Sequence, residues 1–305
     1  MKDAAFETRP GGILVNNFTT ARRIQIGIPI EIEKYNMKKS ISIPIAIAIA
    51  KNKRSQAMKQ SLLLSLILAA ALAAAAPAAA GTVDYKVNGA PYEGFFISPA
   101  ADAPFVLLVH DWDGLTDYEI KRARMLADMG YAVFAADLFG KGVRPQAVSD
   151  KRRLTGELYK NRDKMRKLMQ GALQTAESRG ADTRNAVAMG YCFGGTAVLE
   201  LARSGADLKG FVSFHGGLAT PEGQDYANTR GDLLILHGTA DTHVSMSQFA
   251  RLARELEAND VAHEMITYGG APHAFTVFDT DRYREDADKK SWRRFSRFLE
   301  HALKH

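Results

Sequence analysis

Cysteine is almost absent from this chain: there is one, Cys192, in 305 residues. A single thiol excludes an intramolecular disulfide and any cysteine-based zinc site. The sequence also lacks a dinucleotide-binding glycine fingerprint and a phosphate-binding P-loop, so no cofactor is implied and no metal is expected. The third absence is a charge excess in the part that should fold. The formal net charge is +6, but the first 60 residues hold 11 Lys/Arg against 4 Asp/Glu, which leaves 29 against 30 in the remainder. The folded part is near neutral, and the basic pI is no argument for nucleic-acid binding.

One long apolar run is present. Met58 is followed by Lys59, an apolar stretch from Leu62 to Ala76, and Ala78-Ala79-Ala80. This reads as a signal peptide over 58–80, with Gly81 as the first mature residue and a periplasmic or secreted location. An uncleaved single-span anchor is the competing reading; after cleavage no stable membrane span is expected. Residues 1–57 are read as a mis-called upstream segment with no compact fold, because signal peptides normally begin a protein. Exported single thiols risk oxidation, so Cys192 invites a functional explanation.

Between 81 and 305 short apolar runs alternate with helical patterns. Val83–Val87 and Tyr92–Ile97 flank Asn88-Gly89 and predict an opening antiparallel hairpin. Buried strands are predicted at Phe105–Val109, Tyr131–Ala136, Asn185–Met189, Gly210–Phe214, Leu233–Leu236 and His263–Tyr268. Helices are predicted at Asp117–Met129, over 146–178 with a break near Gly156, and at Thr196–Arg203, Ser245–Asn259 and Arg282–Leu303. The alternation implies an α/β fold, a mostly parallel sheet covered on both faces, with chemistry at the carboxyl ends of the strands. Asp111, Trp112, Asp137, Cys192, His215, Asp241 and His273 all fall at such ends.

The stretch Gly190-Tyr191-Cys192-Phe193-Gly194-Gly195 lies between a predicted strand and a predicted helix. It has the form of a nucleophile elbow, G-x-Nuc-x-G, with Cys192 as nucleophile. A helix N-terminus behind the sulfur favours thiolate, and the Phe193 amide is a natural oxyanion donor. The order Cys192, Asp241, His273 matches nucleophile, acid and base in α/β-hydrolases. In that reading His273 Nε2 takes the thiol proton and Asp241 holds Nδ1. Two competing readings remain for this loop: Asp241 as the cap of the helix near Ser245, and a metal site of His237, Asp241 and His243. Phe139, Phe214 and His215 are candidates for the pocket wall.

These residues resemble the dienelactone hydrolase family, across roughly 82–303. The resemblance implies an α/β-hydrolase fold, a Cys192–His273–Asp241 triad, and hydrolysis of a small ester or lactone through a thioester acyl-enzyme. It places a thiol-contacting carboxylate at Asp111, one methylene shorter than the family's usual Glu, and a second oxyanion donor at the Trp112 amide. Capping of the helix near Asp117 is the alternative role for Asp111. Family members hold a substrate carboxylate with arginines, one just after His-x-Phe. Here His273-Ala274-Phe275 is followed by Thr276-Val277, and an upstream counterpart is sought at Arg152 or Arg153. The chain is expected to act as a monomer on a small molecule, without nucleic acid. A non-catalytic binding or redox-sensing protein on the same fold is the alternative.

Overall fold

The computed structural model describes residues 79–303, so the upstream segment 1–57 and most of the leader 58–80 lie outside the described residues. The first strand, β1 (Ala79–Val87), turns at Asn88-Gly89 into β2 (Ala90–Ser98). Asn88 and Gly89 have φ of 50° and 82°, the left-handed pair that a tight two-residue hairpin requires. The strand begins at Ala79 and pairs Ala79 with Ser98 and Ala80 with Ile97, so the ladder starts two residues before the expected mature terminus.

The remaining strands are β3 (Pro104–Val109), β4 (Ala132–Ala136), β5 (Asp182–Tyr191), β6 (Gly210–Phe214), β7 (Asp232–Gly238) and β8 (His263–Tyr268). They form one eight-stranded sheet in the order β1-β2-β4-β3-β5-β6-β7-β8. β2 pairs antiparallel with β1 and β4, and every later pairing is parallel. β3 and β4 are apolar at every position because both faces are covered. Phe105, Leu107 and Val109 join one buried cluster, and Val106 and Leu108 the other.

Among the described residues six helices pack on these faces: α1 (Asp117–Asp128), α2 (Val148–Lys160), α3 (Arg162–Ser178), α4 (Phe193–Arg203), α5 (Met246–Ala258) and α6 (Glu285–Leu303). Leu126 of α1 and Phe295 and Leu299 of α6 lie in one cluster; Met165, Ala197 and Leu252 of α3, α4 and α5 lie in the other. Each such fully buried Leu or Phe contributes ~1.5–3 kcal/mol. Thr116 caps α1 in a capping box with Glu119, and Ser245 caps α5 with Gln248. Neither Asp111 nor Asp241 is therefore the helix cap.

The break in the 146–178 helical stretch falls at Asn161, not at Gly156. Asn161 Oδ1 accepts from the Lys164 amide at 3.0 Å and starts α3. A glycine inside a helix costs only about 1 kcal/mol, whereas a side-chain cap creates a new N-terminus. Among the described residues no helix is long and apolar enough to cross a membrane.

Candidate active site

β5 runs into α4 through a single strained residue. Cys192 has φ 49° and ψ −110°, a conformation that costs a non-glycine residue about 1–3 kcal/mol. The strain is imposed from both sides. The Cys192 amide donates to Phe214 O on β6 at 3.0 Å, and its carbonyl accepts from Thr196 N at 3.2 Å as α4 begins. Gly190 and Gly194 make the turn possible: a Cβ on Gly190 would strike the Gly194 backbone, and one on Gly194 the carbonyls of Val109 and His110. The turn lifts the sulfur above the sheet.

Two further loops converge on it. After β7, Asp241 Oδ1 accepts from the amides of His243 and Val244 at 2.8 and 2.9 Å. After β8, His273 places Nδ1 2.8 Å from Asp241 Oδ2 and Nε2 3.1 Å from Cys192 Sγ. With Nδ1–H given to the carboxylate, Nε2 is the acceptor of the thiol proton. Burial pushes the Asp241 carboxyl up, but the bond and charge of His273 and the two amides outweigh it and hold it at about 2. The acid behind the imidazole therefore stays ionised.

The thiol is not a resting thiolate. Burial pushes Cys192 up to about 12, and the carboxyl of Asp111 adds to the rise. The Phe193 amide at the helix start and Arg282 pull it down without prevailing. The helix N-terminus alone is thus too weak to ionise the sulfur.

Asp111 does not hold the thiol. It lies on the same cavity wall, but no hydrogen bond joins it to Cys192 among the described residues. Its Oδ1 accepts from the Asp113 amide at 3.0 Å, and its own amide donates to Glu119 Oε1 at 3.3 Å. Burial, then the hydrogen-bonded carboxyl of Asp113 and the charge of Glu119, push Asp111 well above its usual range. Burial also raises Asp113, but its bond to Asp111 and the nearby Lys151 bring it below its ordinary value. One potential ligand atom from each of Asp111, Asp113 and Glu119 lies within 4.8 Å of the others. Lys151, 3.4 Å from Asp113, offsets part of their negative charge.

A cavity of about 370 Å³ opens above the sulfur. Its floor is Cys192, Phe193 and His273, and Asp111 and Trp112 form one side. Three residues one turn apart on α2, Lys151, Thr155 and Tyr159, form another, and Arg282 stands at the edge. The proposed pocket residues Phe139, Phe214 and His215 do not line it. Phe139 packs its ring on His110 and Phe193, at 4.6 and 5.4 Å between centroids. Phe214 points to the opposite face and meets Tyr191 and Phe295. His215 is buried behind His273. Asp137 serves the scaffold, accepting from the amides of Glu93, Phe139 and Gly140. His237 stacks on Phe249, 5.6 Å between centroids, and does not join Asp241 and His243 in a ligand cluster.

The family model for dienelactone hydrolases matches residues 92–303. The chain belongs to the dienelactone hydrolase family. Like other members it is a hydrolase of a small molecule, with the α/β-hydrolase fold. The solved structure m3DLH superposes with a TM-score of 0.70 at 30% identity, covering 74% of this chain and 99% of that one. A dienelactone hydrolase-like promiscuous phosphotriesterase from metagenomic libraries gives 0.69 at 28% identity, over 74% and 99% of the two chains. A carboxymethylenebutenolidase-like protein of Aquifex aeolicus is 25% identical over 198 residues, 63% of this chain and 85% of its own length.

Against that family pattern the cations of this dienelactone hydrolase relative are informative. Arg153 points away from the cavity, to Asp150 and Glu157 on its own helix. Its neighbour Lys151 is the residue that faces inward, over the Trp112 ring at 5.3 Å. Arg282 is a second cation at the cavity, nine residues beyond His273. Sequence reading missed Lys151, Tyr159 and Arg282. The i, i+4, i+8 spacing of Lys151, Thr155 and Tyr159 was an available signal for a shared helical face.

Proposed function

We propose that the protein is a carboxylic ester hydrolase that opens a small ester or lactone through Cys192. The arrangement that carries this reading is the line Sγ–Nε2–Nδ1–Oδ2, with contacts of 3.1 and 2.8 Å, at the floor of an open cavity. His273 Nε2 takes the proton as the sulfur attacks the carbonyl carbon. The amides of Phe193 and Trp112 bind the resulting oxyanion; such a donor is worth ~3 kcal/mol in other hydrolases. Collapse expels the alkoxide, which takes the proton from His273 and leaves a thioester on Cys192. Water, deprotonated by His273, then hydrolyses the thioester and regenerates the thiol.

Lys151 and Arg282 supply the cationic side of the cavity. We assign them the substrate's anionic group, in place of the arginine absent after His273-Ala274-Phe275. A thiol held protonated against a base suits base-assisted attack better than redox sensing, which needs a thiolate. The test compares turnover of p-nitrophenyl acetate and of a dienelactone by the full chain, Cys192→Ala and His273→Ala. Hydrolysis of either substrate, lost in both variants, supports the reading. Hydrolysis that survives in Cys192→Ala sinks it.

A further inference from the structure

Behind His273 runs a buried hydrogen-bond chain that the proposed chemistry does not use. It starts at Arg122 of α1, which is 1% exposed. Arg122 Nη2 donates to Asp288 Oδ1 on α6 at 2.5 Å and to the carbonyl of Thr276 at 2.8 Å. Its Nε donates to the Tyr118 hydroxyl at 3.3 Å. The hydroxyls of Tyr118 and Thr276 are 2.8 Å apart, and Thr276 Oγ1 is 2.8 Å from His215 Nε2. The chain ends where the His215 ring stands edge to face against the ring of His273, 5.4 Å between centroids.

The chemistry of the first member sets a direction. A guanidinium only donates. Tyr118 accepts from it and passes its own hydrogen to the close hydroxyl of Thr276. Thr276 in turn gives its hydrogen to His215 Nε2. The reverse polarity would turn the tyrosyl hydrogen away from its 2.8 Å partner, whereas Nδ1–H of His215 is left beside the residue's own backbone. His215 Nε2 is then an acceptor and Nδ1 carries the hydrogen; buried Nδ1 makes no hydrogen bond to another residue.

We propose that Arg122, Tyr118 and Thr276 form a positioning relay for the base: they lock His215 as the neutral Nδ1–H tautomer and tie the His273 segment to α1. The proposal rests on His273 being the base. Its consequence is electrostatic as well as geometric. The groups that bear on His215 are His273, Asp241 behind it, Arg122 at the far end of the relay, and the rings of Tyr191 and Phe275. Burial first, and then His273, hold His215 well below its ordinary value, against the opposing pull of Asp241. A second cation beside His273 would resist formation of the imidazolium during thiol attack. A relay that occupies the Nε2 lone pair adds to the burial that keeps that cation from forming. Arg122 also fixes the carbonyl of Thr276, three residues after His273, so the same guanidinium holds the loop and sets the tautomer.

The experiment uses the full chain in two readouts. Nitrogen-15 NMR of labelled imidazoles reports tautomer and charge, and p-nitrophenyl acetate kinetics report the base. In the wild type His215 should be the neutral Nδ1–H form throughout the working pH range. In Thr276→Val it should lose that fixed tautomer. kcat should fall about tenfold or more, the scale of lost geometry at a reacting site, with KM little changed. The acid limb of the rate profile should move to higher pH as His215 becomes able to protonate. Thr276→Ser keeps the hydroxyl and should restore both readouts. Should Thr276→Val not fold, the smaller Thr276→Ala removes the same hydroxyl and the same outcomes apply. An Nε2–H tautomer in the wild type, or a folded variant with unaltered kcat and pH profile, overturns the relay. Turnover surviving in Cys192→Ala would overturn the hydrolase reading instead, and the wild-type tautomer would still decide whether the relay exists.

Discussion

Replacing Asp241 by Asn removes the charge behind the base while keeping its shape. Oδ1 of Asp241 is committed to the amides of His243 and Val244, at 2.8 and 2.9 Å. In the variant that position must hold the amide oxygen, because an amide nitrogen cannot accept. The –NH2 group then faces Nδ1 of His273, which has to surrender its hydrogen. The hydrogen moves to Nε2 and points at Cys192 Sγ, so the thiol loses its acceptor. The lost charge has its own magnitude. The Asp241 side chain is fully buried. Its carboxyl is held at about 2 against an ordinary 3.8. About two pKa units correspond to ~2.5 kcal/mol. Since burial opposes that shift, the attraction it reflects is larger still. Through the transition-state relation ~2.5 kcal/mol is about 70-fold in rate, and the wrong tautomer adds to it. We expect kcat for p-nitrophenyl acetate to fall by at least that factor, with KM little changed and a melting temperature near wild type. A kcat within about threefold of wild type, beside an inactive Cys192→Ala, would refute the reasoning.

Lys151→Met should raise KM for esters carrying a carboxylate several-fold and leave neutral esters unaffected; equal effects on both classes would show that Lys151 serves only the wall. Gly194→Ala should fail to accumulate as folded protein or lose ~3 kcal/mol in denaturant unfolding, because its Cβ meets the fixed carbonyls of Val109 and His110. Glu119 supplies a pH test. Burial, opposed by the bonds from Thr116, pushes its carboxyl up to about 7 against an ordinary 4.5. A raised folded-state value means that the native chain retains a proton the unfolded chain releases. This contribution is fully present below 4.5 and is lost as pH rises through about 7. Melting temperature should therefore decline across that window in the wild type and decline less in Glu119→Gln; identical slopes would exclude the assignment.

The succession of strands and helices and the line of three side chains were legible because each rests on local patterns. Continuous apolar runs mark doubly covered strands, and Gly190 to Gly195 spells a turn that few other sequences tolerate. Asp241 and His273 were legible through chain order. What escaped depends on direction in space. Phe214 and Phe211 are both aromatic and on β6, yet strand parity puts Phe214 with Val212 against α6 and Phe211 on the other face. Parity could have excluded Phe214 from the pocket. The missing family arginine directed attention to Arg152 and Arg153, while the helical phase of α2 turns Lys151 inward. The state of the thiol was not legible for a different reason. A helix N-terminus is visible in sequence, but the desolvation that overrides it is not.

The division between strand ends and α2 separates two tasks that one site must perform. Cys192, Asp241 and His273 hang from the carboxyl ends of β5, β7 and β8, held by the sheet. Lys151, Thr155 and Tyr159 lie together on a single helical face. In the proposed reaction bond breaking belongs to the strand ends, and substrate choice is shared between this helical face and Arg282. Randomising those three wall positions would redraw what fits above the sulfur while leaving the nucleophile, base and acid in place. For a laboratory seeking new ester specificities, thirteen residues of one helix, Val148–Lys160, are the segment to vary, and the sheet is the part to leave untouched.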